Sequence, residues 1–174
     1  VPTQNLEAYT LYKQGKEKYY EYSEKGFRES IDYYKRALNV DPTFALAFSG
    51  LADSYGQIYA MTRDSAYRDL GFASAEKSLK IDENLAEGYK ALGLLFAYTG
   101  DSNNSLKYNL KTIQLKPGFA DAISNIALRY NNKGDLSEAL EWYEKGYKID
   151  PYNRRLNSQI GFVYELLGES KTAE

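Results

Sequence analysis

Residues 120–153 read ADAISNIALRYNNKGDLSEALEWYEKGYKIDPYN, and the spacing of their small and aromatic residues recurs along the 174-residue chain. Gly93, Ala127 and Gly161 follow one another at a step of 34 residues. Other sets keep the same step: Phe96, Tyr130 and Tyr164; Leu92, Ile126 and Ile160; Gly100, Gly134 and Gly168; Ser105, Ala139 and Ala173. A constant period of this length indicates that one supersecondary unit is repeated and stacked on itself.

The residues at these positions resemble the tetratricopeptide family, in which a bulky residue, a Leu-Gly step, further aromatic and small residues and a closing proline recur. Asn109 stands where that family has an aromatic residue, and Gly146 where it has alanine. The third and fourth repeats carry the pattern as Tyr89, Leu92, Gly93, Phe96, Gly100, Ser105, Pro117, then Ile123, Ile126, Ala127, Tyr130, Gly134, Ala139, Tyr143, Pro151. The resemblance implies an all-α tetratricopeptide-repeat solenoid, a right-handed superhelix of antiparallel helix pairs.

We predict a single tetratricopeptide domain over residues 1–174, with repeats at about 8–44, 45–85, 86–119 and 120–153 and a truncated fifth at 154–174. The fifth repeat would have its first helix from Arg154 to Leu167 and begin its second at Ala173. The opening segment, Glu7 to Tyr12 with Gly15, resembles the first repeat of modules attached to bacterial signalling proteins. Because the chain lacks an initiator methionine and ends within the periodic pattern, we expect a fragment of a larger bacterial protein.

The second repeat is longer than the others, since 41 residues separate Pro42 from Glu83. Seven extra residues equal about two helical turns and therefore keep the helical phase. We predict a lengthened second helix from Ser65 to Ile81, capped by Asp64 or Ser65, and the alternative is a functional loop. The residues predicted to turn inward are Tyr67, Leu70, Phe72, Ala75 and Leu79.

Small residues within each repeat predict close contact between its two helices. Gly93, Ala127 and Gly161 would let the paired helix approach, and the helix pairs would turn near Gly100, Gly134 and Gly168. Asp41-Pro42 and Asp150-Pro151 combine a capping side chain with a proline suited to a first helical turn, so each new repeat would begin there. The aromatic residues of the second helices are predicted to pack between repeats: Tyr34, Tyr108, Trp142 and Tyr143.

Composition argues against several classes of function. The chain has neither cysteine nor histidine, its net charge is -2, and it contains no nucleotide-binding, metalloprotease, hydrolase or calcium-loop pattern. Proton transfer and metal binding therefore lack their commonest side chains, and no basic field would attract nucleic acid. We predict no enzyme activity, cofactor, metal or nucleic-acid partner and no membrane insertion. The sequence leaves the compartment open, with the cytoplasm slightly favoured.

The family resemblance implies that a partner lies against the wall formed by the first helix of each repeat. Counted by position in the repeat, the residues predicted to form this groove are Tyr9, Tyr12, Lys16, Tyr19, Asp53, Gln57, Lys90, Leu94, Tyr98, Asn125, Leu128, Asn132, Arg155 and Phe162. Such a mixed wall suits an extended peptide or an amphipathic helix. The alternative for Tyr19 and Tyr20 is that they only cover the end of the first repeat.

Three groove positions also resemble a tetratricopeptide subgroup that grips the C-terminal carboxylates of heat-shock chaperones. Lys90, Asn125 and Arg155 match its pattern, whereas Leu94 and Gln159 depart from it. A looser site is therefore predicted, in which Lys90 and Arg155 meet one acidic group and Asn125 holds the peptide backbone.

The leading functional hypothesis is a protein-interaction scaffold that binds a peptide or helix of a protein partner in this groove. The competing hypothesis, from a different class, is a structural spacer or self-association module that stacks end to end. The sequence names neither the partner nor the native oligomer.

Overall fold

The computed structural model describes residues 3–152 and 154–172, with side chains described for 3–152 and 156–168. These ranges are helical throughout apart from short turns, and they contain no strand. The helices are α1 Leu6–Tyr19, α2 Glu24–Val40, α3 Ala45–Thr62, α4 Ser65–Ile81, α5 Ala86–Tyr98, α6 Ser102–Leu115, α7 Ala120–Lys133, α8 Leu136–Ile149 and α9 Arg154–Thr172. The predicted all-α class is confirmed. The chain forms two compact units, the first ending at Tyr108 and the second beginning at Asn109.

Short polar and glycine turns separate the helices. Asn5, Ser23 and Asp64 each accept a hydrogen bond from a backbone N–H in the first turn of α1, α2 and α4. Gly100 and Gly134 follow first helices with φ of 85°, a left-handed conformation that glycine adopts without steric cost. The predicted turns at these two glycines are confirmed. The predicted turn at Gly168 is wrong, because α9 continues through that position to Thr172.

The turns between repeats differ from the prediction at their aspartates. Asp41 does not cap the following helix, since it ends α2 and its carboxylate accepts the N–H of Thr43 at 2.9 Å. Asp82 and Asp150 likewise accept the N–H two residues further on. An aspartate that bonds its own backbone in this way stabilises a turn. The helix therefore begins three residues after the predicted start: α3 begins at Ala45 and not at Pro42.

The extra residues of the second repeat lengthen two helices. α4 spans Ser65–Ile81 with Asp64 as its cap, so the lengthened helix is confirmed and the loop alternative is wrong. Part of the added length lies in α3, which has 18 residues against 13 in α5 and 14 in α7. Ala75 is fully buried as predicted, but Leu70 is 47% exposed and does not turn inward.

In the first unit, the ring of Tyr34 is buried between two glycines on neighbouring helices. A Cβ at Gly15 of α1 or at Gly50 of α3 would lie 2.6 Å from a carbon of this ring. The ring therefore fills the space that both glycines leave, and it joins α1, α2 and α3 into one core. Gly161 does not play the close-packing role predicted for it, because a Cβ there would meet nothing within 4 Å.

Tyr34 and Gly50 are one example of a pairing that recurs between each second helix and the next first helix. The partners are always 16 residues apart, and we call them the junction pairs: Tyr34 with Gly50, Ala75 with Ala91, Asn109 with Asn125, and Tyr143 with Gln159. Ala75 and Ala91 are fully buried in the same cluster. Asn125 donates to Asn109 at 3.3 Å, and the Tyr143 hydroxyl donates to Gln159. The two residues of each junction pair are therefore matched either in size, as in the first two pairs, or as hydrogen-bonding partners, as in the last two.

We expect Gly50→Ala to lower the free energy of unfolding by about 1–3 kcal/mol, because the added methyl group cannot share the space of the Tyr34 ring. Gly161→Ala is the matched control, since Gly161 is also helical but has open space around it. There the helix preference of alanine should raise stability by about 0.5–1 kcal/mol. Thermal and denaturant unfolding would check both signs. A stabilising Gly50→Ala would show that the packing around Tyr34 is assigned incorrectly.

Candidate partner-binding surface

The first helices α1, α3 and α5 lie side by side in the first unit, since α3 contacts both of the others. We call their shared face the first-helix wall. These three helices contain nine of the predicted groove residues: Tyr9, Tyr12, Lys16, Tyr19, Asp53, Gln57, Lys90, Leu94 and Tyr98. The remaining predicted residues belong to the second unit.

A hydrogen-bonded chain of three side chains crosses the first-helix wall. The Gln57 amide donates to the Tyr19 hydroxyl at 3.1 Å, and the Tyr98 hydroxyl donates to the Gln57 carbonyl oxygen at 3.0 Å. One residue of this chain comes from each of α1, α3 and α5. The three helices are therefore held in a fixed relation at the surface where the sequence predicts a ligand.

Beside this chain lies an ion pair that is almost fully enclosed. The Lys90 ammonium of α5 donates to the Asp53 carboxylate of α3, and both side chains are largely buried. The ammonium also lies 5.9 Å from the centre of the Tyr19 ring, close enough for cation–π attraction. Because a buried charge is costly without a partner, Asp53 and Lys90 require one another.

Three tyrosines around the ion pair have altered acidity. Burial raises the pKa of Tyr12, Tyr19 and Tyr34, because a phenolate would lose its hydration. The carboxylate of Asp53 raises these pKa values further, whereas the Lys90 charge lowers them. These phenols therefore remain neutral within the fold.

Other side chains of the wall are open to solvent. Tyr9 is 39% exposed and Tyr20 is 52% exposed, and the Lys16 ammonium lies 6.0 Å and 5.8 Å from the ring centres of Tyr12 and Tyr20. Tyr19 is buried and belongs to the core of the first unit. Leu94 is also buried, at 8% exposure.

One exposed aromatic residue next to the first-helix wall was not predicted from the sequence. Tyr22 lies in the turn between α1 and α2, has a φ of 47° and is 50% exposed. Its ring lies 5.7 Å from that of Tyr19 and 6.1 Å from that of Tyr20. Counting positions within first helices could not find it, because it lies in the turn after α1 and outside any first helix.

The predicted groove residues of the second unit have varied surroundings. Asn125 is half-buried and bonded to Asn109, and Leu128 is half-buried. Asn132 is exposed, and Phe162 is 52% exposed. The side chain of Arg155 lies outside the described residues.

The surroundings of Lys90 and Asn125 argue against the predicted carboxylate site. An acidic ligand would have to displace Asp53 from Lys90, and Asn125 already serves a junction pair. Gln159, which replaces an arginine of the resembled subgroup, is bonded to Tyr143. These side chains hold repeats together, so a carboxylate clamp loses its main contacts.

Two further properties concern the part of the chain that the structure describes. It contains no group of three or more acidic, cysteine or histidine side chains arranged to hold a metal ion. Among the described helices, none has the length and apolar character needed to cross a lipid bilayer.

Comparison with known proteins agrees with the helix-pair architecture. The sequence model of the tetratricopeptide repeat matches residues 120–153. The uncharacterized protein ycf37 of Pyropia yezoensis is 25% identical over 146 residues, which cover 80% of this chain and 78% of that protein. Crystal structures of MamA and of a thermophilic tetratricopeptide protein from Thermus thermophilus are also similar. MamA is 27% identical with a TM-score of 0.58, covering 82% of this chain and 80% of MamA. The Thermus protein is 16% identical with a TM-score of 0.77, covering 91% and 82%.

The fold and the repeat match together define the class of all-α solenoids built from helix pairs. Residues 120–153 match the tetratricopeptide-repeat model, and the helix-pair fold is similar to that of known tetratricopeptide-repeat proteins. Proteins of this family are generally non-enzymatic scaffolds for protein–protein interaction, and the fold indicates protein partners.

We expect Asp53→Ala and Lys90→Ala each to lower the free energy of unfolding by about 3–5 kcal/mol, because each leaves a buried charge without its partner. Replacing both residues, as Asp53→Leu with Lys90→Met, should cost less than either single change. The exposed pair of Arg68 and Asp69 provides the control, and Asp69→Ala should cost about 1 kcal/mol or less. A double variant less stable than both single variants would contradict the interpretation.

The raised tyrosine pKa values predict a loss of stability in alkali. Neutral Tyr12, Tyr19 and Tyr34 contribute stability below the ordinary tyrosine pKa of about 10, and this is lost as pH rises towards their higher folded pKa values. Each phenol should lower the unfolding free energy by about 1.4 kcal/mol per pH unit in that window. Melting temperature against pH should fall less steeply in Tyr34→Phe. Tyr152→Phe, at a 92% exposed position, should keep the original slope.

Proposed function

We propose that the first-helix wall binds a peptide or helix from a partner protein, and that it recognises uncharged groups and apolar area instead of a carboxylate. The observation that carries this proposal is the buried pair of Asp53 and Lys90. In this pair, the two charges at the centre of the wall already neutralise each other. A ligand that brought its own carboxylate to Lys90 would leave Asp53 without its cation. A neutral ligand avoids that cost.

The exposed tyrosines would supply most of the contact area. Tyr9, Tyr20 and Tyr22 are each between 39% and 52% exposed, and they lie near the first repeat's end of the wall. Aromatic side chains of this kind carry a large share of binding energy in interfaces. Because Tyr19 packs against Tyr20 and Tyr22, the exposed rings have a supported position before a ligand arrives.

Gln57 would supply the polar contact. Its amide uses one N–H on Tyr19 and one lone pair on Tyr98, which leaves one N–H and one lone pair. That remaining donor and acceptor fit the C=O and N–H of one peptide unit in an extended ligand. The bonds to Tyr19 and Tyr98 fix the amide's orientation, so little side-chain entropy would be lost on binding.

Self-association is the competing function. On α9, Phe162 and Tyr164 are 52% and 53% exposed, which gives this helix an apolar surface that a second copy could cover. Light scattering over a dilution series, with Phe162→Ser as the comparison, would detect such association as a molar mass that rises with concentration. Origin in a larger bacterial protein stays a prediction, and the likeness to a Thermus thermophilus protein is compatible with it.

The test is selection of peptides from a displayed library on the intact chain, followed by affinity measurements on variants. Each of Tyr9→Ala, Tyr20→Ala and Gln57→Leu should weaken the selected peptides by about tenfold, as expected for central contacts. Tyr147→Ala removes a tyrosine of similar exposure from the second helix α8 and should change nothing. Amidating the peptide C-terminus should also leave affinity unchanged. Peptides that require a free carboxylate, or that ignore all three wall residues, would refute the proposal.

A further inference from the structure

A cavity of about 540 Å³ lies on the side of the first unit formed by the second helices α2 and α4. Its floor consists of Ile31 and Tyr55, which are 6% and 5% exposed. Tyr67 and Leu70 of α4 form one side, and Leu70 is 47% exposed. The cavity is therefore a groove between two helices, with an apolar floor and charged residues along its edges, and it is separate from the first-helix wall.

This groove depends on the long helices of the first two repeats. α2 and α4 have 17 residues each, against 14 in α6 and 14 in α8. Asp64 caps α4, and the first turns of that helix carry Ala66, Tyr67 and Leu70 into the lining. The extra residues of the second repeat thus build one side of the groove.

Arg28 fixes one end of the groove. Its guanidinium donates to the Tyr67 hydroxyl at 3.0 Å and to the Glu24 carboxylate at 2.7 Å and 2.9 Å. It also lies 5.7 Å from the centre of the Tyr67 ring. These contacts hold α2 and the start of α4 at a set distance, so the groove is formed before any ligand binds.

The charges along α2 indicate what the groove would accept. Asp32 and Lys35 line it one helical turn apart, both are exposed, and neither makes an ion pair or side-chain hydrogen bond within the described part of the chain. A ligand can therefore offer a basic group to Asp32 and an acidic group to Lys35 at no cost to existing pairs. The one-turn spacing matches the spacing of side chains along one face of a helix.

We propose that this groove is a second docking site, and that its occupant is an amphipathic helix of a partner protein. The helix inserts one large apolar side chain over Ile31 and Tyr55, against Leu70. It places a basic residue near Asp32 and an acidic residue near Lys35. Packing of a third helix into the furrow between two others is a common way to bury such a surface.

The test uses a displayed library of peptides of about 15 residues with a helical pattern, roughly the length at which isolated helices begin to form in water. Selection on the intact chain should yield peptides with one large apolar residue flanked by a basic and an acidic residue. Leu70→Ser should weaken them by about tenfold, as for a central apolar contact. Leu110→Ser, at a 41% exposed leucine of α6, is the matched control and should have no effect.

The decisive experiment exchanges the charges, both in the peptide and at Asp32 and Lys35. Two synthetic isomers of a selected peptide differ only in that their basic and acidic residues are interchanged. Wild-type protein should prefer one isomer, and Asp32→Lys combined with Lys35→Glu should prefer the other. Circular dichroism would verify that these exposed substitutions leave the fold unchanged. The proposal is overturned if no selected peptide depends on Leu70, if exchange leaves the preference unaltered, or if Leu70→Ser instead abolishes self-association.

Discussion

The ring of Tyr34 occupies space that exists only because Gly15 and Gly50 have no side chains. This contact joins α1, α2 and α3, and a helix pair on its own could not bury the ring. Each later junction faces the same geometric problem, since a second helix must fit against the next first helix. The chain solves it with small residues at Ala75 and Ala91, and with hydrogen-bonded side chains where the positions are polar. The stacking of the repeats depends on these matched pairs.

The junction pairs also determine what the first-helix wall contains. Once Tyr34 fixes α3 against the first repeat, Asp53 and Gln57 face the same side as Tyr19. α5 then brings Lys90 to Asp53 and Tyr98 to Gln57. A buried ion pair offers little net stability over an apolar pair, but it strongly disfavours any arrangement that separates the charges. In this wall, it specifies how α3 and α5 align and removes both charges from the reach of an acidic ligand.

The 34-residue period was sufficient to predict the helical class, the glycine turns at Gly100 and Gly134, and the extent of α4. Those features follow from local propensity and from a spacing visible along the chain. The partners of Lys90 and Asn125 were not predictable in the same way. Each depends on a contact between residues of adjacent repeats. The prediction from position in the repeat assumed that every groove residue faces solvent. Leu70 was misplaced for a related reason, because helical phase alone does not say whether a neighbouring helix covers a given face.

α3 contributes to both of the surfaces to which we assign ligands. Tyr55 forms part of the floor of the groove between α2 and α4, whereas Asp53 and Gln57 project from the opposite side of the same helix. Two sites influence each other only if binding at one changes the conformation seen by the other. α3 is held by the Tyr34 ring, by the Asp53 and Lys90 pair and by its contacts with α4, all of which are buried or nearly so. A helix fixed on several sides has no alternative position to adopt, so the two faces should accept their partners independently, as expected of a scaffold that brings two proteins together.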